Sequence, residues 1–402
     1  MVRRMIITGI AVGLLIPVAA AVVVALVSGI AAPAIAAAGT GPSWVIQATL
    51  SPGGRQGSIL LRVSCPSARA CTAVGGYAPR SGAIVTLAER WNGAKWAVQP
   101  MPHVKNGVLY GVSCPSARDC TAVGHDPKGT LAERWNGRKW TVQPTPNPSG
   151  SKDGILVGVS CSSATACTAV GNTNATGSRF GTLAERWNGT KWVLQSTPKP
   201  VTGANGSELL GVSCPSARAC IAVGDSNITD SKSDTLAERW NGRKWAIQPT
   251  PKHPHGNESE LTGVSCRSAT ACTAVGNSGS INATLTLAER WNGRKWVVQP
   301  TPSPSGTNNP SGTSESELAG VSCSSAKACI AAGDYYNRSG TQVTLAERWN
   351  GRKWVVQRTP NPADDGASLL KGVSCSSAAA CTAVGPYVKK SGAEPTLAER
   401  YS

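Results

Sequence analysis

Fourteen cysteines fall into seven pairs, with five residues between the members of each: Cys65/Cys71, Cys114/Cys120, Cys161/Cys167, Cys214/Cys220, Cys266/Cys272, Cys323/Cys329 and Cys375/Cys381. None is left over, and successive pairs begin 47 to 57 residues apart. A fixed period of this length marks a repeat architecture, in which each copy is one supersecondary unit that needs its neighbours. Length alone would suggest two or three ordinary domains for 402 residues, and the repeat overrides that prior. Disulfides across a short turn, each confined to one copy, are the expected state of the pairs. Zinc sites use closer spacing with further Cys or His nearby, and the four histidines (His103, His125, His253, His255) do not recur with the pairs.

Each pair sits in a phrase such as Gly111-Val-Ser-Cys-Pro-Ser-Ala-Arg-Asp-Cys-Thr-Ala-Val-Gly124, and a second phrase follows, such as Thr130-Leu-Ala-Glu-Arg-Trp-Asn-Gly-Arg-Lys-Trp-Thr-Val-Gln143. Four strands are legible per copy. A runs into the first Cys, B is Cys-Thr-Ala-Val-Gly, C is Thr-Leu-Ala-Glu-Arg-Trp, and D is Trp-x-Val-Gln. Asn-Gly between C and D is a hairpin signal, because both residues tolerate positive φ. A two-residue loop would set Arg134 against Lys139. A four-residue loop sets Trp135 against Trp140, a favourable cross-strand pair.

Four antiparallel strands at this period describe an all-β, seven-bladed β-propeller. The last copy ends at Tyr401-Ser402 after strand C, whereas Trp44–Gln47 precedes the first copy as an isolated strand D. The N-terminal strand is therefore expected to complete the last blade and close the ring.

The phrases resemble kelch-type repeats, in which a strand ending in Gly leads to a hairpin bearing an aromatic residue and then a Trp before a Pro-containing loop. The resemblance covers residues 44–402 and implies the propeller fold, but no functional residue. The kelch Gly-Gly doublet occurs at Gly75-Gly76 alone, and paired cysteines are no part of that pattern. In composition the chain is similar to exported repeat proteins of actinobacteria.

Residues 1–38 read as a signal peptide or N-terminal membrane anchor, with Arg3-Arg4 ahead of an apolar run and small residues at Ala32, Ala34, Ala36 and Ala38. Residues 39–402 then form the propeller, secreted or held at the cell surface, where disulfides persist.

The formal charge is +17, which points to an anionic partner. In an up-and-down blade the A–B and C–D turns share one face. Here those turns carry Arg69, Lys95, Arg118, Arg138, Lys139, Lys191, Arg218, Arg243, Lys244, Arg267, Arg294, Lys295, Lys327, Arg352 and Lys353, against the single acid Asp119. That face holds +14 of the +17. The opposite face, built from B–C loops and D–A connectors, varies between copies, as binding loops on a rigid scaffold do.

Recurring residues receive structural readings. The glycines before Val-Ser-Cys fit crowding near an axis, and Arg62 stands in that place in the first copy. The Glu-Arg pairs, from Glu89-Arg90 to Glu399-Arg400, read as inter-blade ion pairs, and the glutamines ending strand D read as inter-blade contacts. His253, His255, Glu258 and Glu260 read as solvated connector. No Ser/His/Asp constellation, phosphate loop or metal cluster is visible, so no catalytic, cofactor or metal residue is assigned and no cofactor is expected. The expectation is a monomeric, non-catalytic surface binding or scaffold protein, with its basic face on anionic envelope polymer or lipid and an unknown ligand at the variable loops. Nucleic acid is disfavoured by export. The alternative is a lyase or glycan hydrolase using non-repeated residues such as Asp126, Asp225, Asp334, Tyr335 and Tyr336.

Overall fold

The computed structural model describes residues 42–53, 57–80, 82–148, 154–175, 179–198, 206–229, 232–253, 257–280, 283–304, 315–363 and 365–402. The signal or anchor segment lies outside them. Every element among the described residues is a β-strand, and no helix there is long and apolar enough to cross a membrane.

Seven antiparallel sheets follow one another along the chain. Blades 1 to 6 span 58–98, 108–143, 155–195, 206–248, 258–299 and 316–357, each with strands in the order A-B-C-D. Blade 7 has a broken inner strand, Asp365–Ser368 and Gly372–Ser377, followed by Ala380–Lys389 and Thr396–Tyr401. Its outer strand is Trp44–Gln47, which pairs with Thr396–Tyr401 in the register Trp44↔Tyr401 to Gln47↔Ala398. Ser43 and Ser402 exchange backbone hydrogen bonds across this seam. The two ends of the chain thus share one sheet, and the ring is closed.

Within each blade the hairpin register follows from the loops. Trp135 faces Trp140, and the same pairing holds in blades 1 to 6, with ring centroids 5.8–6.0 Å apart. At the seam Trp44 meets Tyr401 at 5.5 Å. All seven cysteine pairs are disulfides, with Cα atoms 3.9–4.1 Å apart. Each ties strand A to strand B next to their turn and contributes about 2 kcal/mol by restricting the unfolded chain.

The seven disulfides are confined to their own copies as expected, and the second cysteine of each pair has a further role in packing. Cys71, Cys120 and Cys220 reach beyond their own blade. Each is only 2% exposed and belongs to the apolar layer between blades. Their Sγ atoms rest against threonines of the preceding blade: Cys71 at 3.6 Å from Thr382, Cys120 at 3.6 Å from Thr72 and Cys220 at 3.7 Å from Thr168. Strand alternation is the cause, since it sends the cysteine of strand B toward the neighbouring sheet while the threonine after it faces the other way. These three cysteines are therefore packing residues, buried away from any ligand at either face.

Blades are held to one another by further contacts that repeat around the ring. One fully buried leucine per inner strand (Leu60, Leu109, Leu156, Leu209, Leu261, Leu318, Leu370) anchors the apolar layer between sheets. The serine of each Val-Ser-Cys phrase accepts the backbone N–H of the next blade's first cysteine. Ser64 serves Cys114 and Ser374 serves Cys65, and all seven such bonds measure 2.9–3.0 Å.

The axial glycines are crowded as expected. A Cβ on Gly211 would lie 3.1 Å from the Cα of Gly263, and one on Gly263 would lie 3.1 Å from the Cα of Gly320. Arg62 takes this place at the seam, where its guanidinium donates to the carbonyls of Leu61 and Lys371. Burial lowers its pKa to about 10.

Candidate functional site: the two faces of the ring

The C–D turns owe their shape to the Asn-Gly pair. Asn136 Oδ1 accepts the backbone N–H groups of Arg138 and Lys139, each at 3.0 Å, and Gly137 has φ +88°. The glycine is required twice over, since a Cβ there would also press within 3.3 Å of the Arg118 side chain on the A–B turn. Gly93 meets Arg69, Gly242 meets Arg218 and Gly351 meets Lys327 in the same way. The two turns of a blade therefore touch and share one face. All fifteen cations named above are exposed on it. Asp119, the one acid among them, accepts a hydrogen bond from Ser116 (2.9 Å) and lies 4.0 Å from Arg134.

The Glu-Arg pairs behave differently from the sequence expectation. Among the described residues they do not form ion pairs with one another. Each glutamate is fully buried between sheets: Glu89, Glu133, Glu185, Glu238, Glu289, Glu347 and Glu399. Each faces a threonine of the preceding blade, as Glu133 does Thr86 and Glu185 does Thr130. Glu89 is better served, by the Leu50 N–H at 3.2 Å and by Thr396. Desolvation raises these carboxyls, to about 7 for Glu89, Glu133 and Glu347 and to about 8 for Glu185, Glu238 and Glu399. The adjacent arginines point to the other side of the sheet, onto the next blade's tryptophan. Arg90 lies 5.1 Å over Trp135, Arg134 5.4 Å over Trp187 and Arg400 5.3 Å over Trp91. The physical reason is again strand alternation, which sends consecutive side chains to opposite faces. Two of the strand D glutamines bridge blades, Gln195 accepting from Trp245 Nε1 (3.1 Å) and Gln299 from Trp354 Nε1 (3.3 Å), whereas Gln143 and Gln248 donate within their own strands, to Thr141 (3.4 Å) and to the Ile247 carbonyl (3.2 Å).

On the opposite face a feature emerges that sequence reasoning missed. The phrase Ser-Glu-Leu recurs in three consecutive inner strands, at Ser207-Glu208-Leu209, Ser259-Glu260-Leu261 and Ser316-Glu317-Leu318. Its glutamates stand opposite Asp225, Asn277 and Asp334 on strand B. Asn172 donates to Glu208 (2.9 Å), Asn277 donates to Glu260 (2.7 Å), and Lys371 of blade 7 reaches back to Glu317 (2.8 Å) and Asp334 (3.4 Å). Burial raises the Asp334 carboxyl. The Lys371 ammonium outweighs burial at Glu317 and holds it below the usual range. The recurrence of Ser-Glu-Leu was the available signal, hidden because only three of seven copies carry it.

The candidate residues of the enzyme reading are spread over blades 2, 4 and 6. Asp126 accepts its own turn's Lys128 N–H at 2.7 Å. Asp225 is fully buried, Tyr335 packs into the blade 6 core, and Asp334 serves Lys371. Tyr336 is half-buried, and desolvation together with Glu315, Asp334 and Glu317 raises its phenol.

His253 corrects another expectation. It is no solvated connector residue but is buried, with Nε2 2.9 Å from Glu289 Oε1. Glu258 is buried and Glu260 holds Asn277, while His255 lies outside the described residues. Among the described residues no three His, Cys, Asp or Glu side chains gather as a metal site.

This geometry defines a class, the disulfide-stapled seven-bladed propeller with a basic face. No protein-family model and no curated protein matches the chain. Solved structures do. YCF48 bound to D1 peptide is similar at a TM-score of 0.52 and 12% identity, over 89% of this chain and 96% of that one. U3-55K is similar at 0.54 and 11%, over 90% and 99%. The polysaccharide lyase Uly1 is similar at 0.51 and 8%, over 85% and 89%. Likenesses at these identities establish the seven-bladed propeller fold alone and do not extend to the kelch-type repeat.

Proposed function

We propose that the chain is a non-catalytic binding or scaffold protein of the cell surface or exterior. Its basic face lies against anionic envelope polymer or lipid, and its variable loops are free for a ligand. The observation that carries this reading is the set of fifteen exposed cations on one side of the ring, with Asp119 already engaged by Ser116. Seven disulfides fit an oxidising compartment. A propeller of this fold holding a peptide supports a binding role, but the fold also carries a polysaccharide lyase, so fold alone does not choose between them. Asp126 and Asp225 lie on other blades than Asp334, Tyr335 and Tyr336, and Asp334 is engaged by Lys371, which supports binding. Exposed charges attract through solvent and are screened over about 8 Å at physiological salt. Co-sedimentation of the chain, disulfides intact, with anionic envelope polymer or vesicles should therefore be strong at low salt and lost at high salt. Salt-insensitive binding, or none, refutes it.

A further inference from the structure

The basic face is not uniform around the ring. Blades 4, 5 and 6 each present three exposed cations and no acid on their turns, blade 3 presents Lys191 alone, and blade 7 presents none. Cations therefore form an arc along consecutive blades.

The arc also contains a notch. Between blades 5 and 6 a shallow surface notch, with free space of about 10 Å³, is lined by Ser265, Arg267 and Arg290 from one blade and Ser325 from the next. Arg267 is a departure from the repeat, since the corresponding places hold Pro66, Pro115, Ser162, Pro215, Ser324 and Ser376. The neighbouring notch between blades 6 and 7 has Arg348 and Ser377 in the equivalent places but Ser324 where Arg267 stands, and so one guanidinium fewer. In the 5–6 notch Ser265 Oγ accepts the Cys323 N–H (3.0 Å) and Ser325 Oγ accepts the Lys327 N–H (3.2 Å), which leaves both hydroxyl protons to donate. Two guanidinium forks and two hydroxyl donors, with no carboxylate in the lining, suit a group with several acceptor oxygens, as phosphate has.

A lipid surface is the poorer fit. Membrane-lying surfaces combine cations with apolar side chains that enter the acyl boundary. The exposed large apolar residues here, such as Val142, Leu194 and Val298, lie on the outer strands or just beyond them, and none is in a turn of the basic face.

We propose that the basic face seats a linear, phosphate-bearing polymer along blades 4 to 6, with the notch between blades 5 and 6 as its tightest position. This rests on the reading of that face as an anion-binding surface. A chain long enough to touch several blades gains affinity by engaging its second and third contacts intramolecularly, and a short fragment does not.

The test titrates the disulfide-intact chain with long-chain inorganic polyphosphate, tripolyphosphate, poly-L-glutamate and phosphatidylglycerol vesicles over a salt series. Long polyphosphate should bind most tightly and tripolyphosphate at least about tenfold more weakly. Arg267→Ser restores the residue of three other blades and should leave the melting temperature unchanged. It should weaken polyphosphate binding about fivefold and reduce the log–log salt slope by about 0.7. Lys95→Ala on blade 1 should change both less. Equal binding of poly-L-glutamate, vesicle binding as tight as polyphosphate, no dependence on polymer length, or equal effects of the two substitutions would each overturn this proposal while leaving an anion-binding face. Failure of every probe at low salt would overturn the underlying reading as well.

Discussion

Replacing Glu133 by Gln should make the protein more stable at pH 8 and leave it nearly unchanged at pH 5. Glu133 is fully buried between blades 1 and 2, with neither carboxyl oxygen in a regular hydrogen bond, and desolvation lifts its pKa from 4.5 to about 7. Between these values the folded protein holds a proton that the unfolded chain has released. Stability therefore falls as pH rises through this window, by up to about 1.4 kcal/mol per pH unit for the one group. The contribution is fully present below pH 4.5 and fully lost above about 7. The accumulated loss is about 3 kcal/mol. Gln has the same shape and never ionises, so the variant escapes it. At about 2.1 cal/mol/K per residue over the propeller, this is roughly a 4 °C higher melting temperature at pH 8. Calorimetry with disulfides intact, at pH 5 and pH 8 for both proteins, measures the difference. If the variant is destabilised equally at both pH values, Glu133 is ionised and paired in the folded state, as the ion-pair expectation had it, and the account of the ring of buried glutamates fails.

Other consequences follow from the same contacts. Leu209→Ala should cost about 2–5 kcal/mol in denaturant unfolding, because Leu209 is fully buried and the sheets around it cannot collapse freely. Ser160→Ala removes the acceptor for the Cys214 N–H and should cost about 1–3 kcal/mol, with hydrogen exchange quickening at Cys214. Replacing both Cys161 and Cys167 by alanine should lower stability by about 2 kcal/mol, the loop-closure contribution of one disulfide. A cost near zero would show that the staple adds little to a blade already paired on both sides.

Much of the architecture was legible before any coordinates. The cysteine spacing marks the copies, the Asn-Gly turn and its tryptophans set the C–D register, and the isolated Trp44–Gln47 strand completes a last sheet that ends at Tyr401. The segregation of cations follows from the same strand order. All of these depend on residues close together in one copy, or on the order of copies, and periodicity records both.

Contacts between blades were read less well. The glutamate and arginine adjacent in every strand C looked like partners, yet alternation sends one onto a threonine of the blade before and the other onto a tryptophan of the blade after. The cysteine pairing was evident from spacing, but not that Cys71, Cys120 and Cys220 would also pack against the preceding blade. His253 meets Glu289 across a blade boundary, and Lys371 reaches Glu317 and Asp334 across another. The amino-acid sequence by itself determined how many blades there are, how each is hydrogen-bonded and which side of the ring is basic. Only the tertiary structure decided which side chains meet between sheets and which carboxyls lose their water, because that depends on how one sheet is laid against the next, and no local period encodes it.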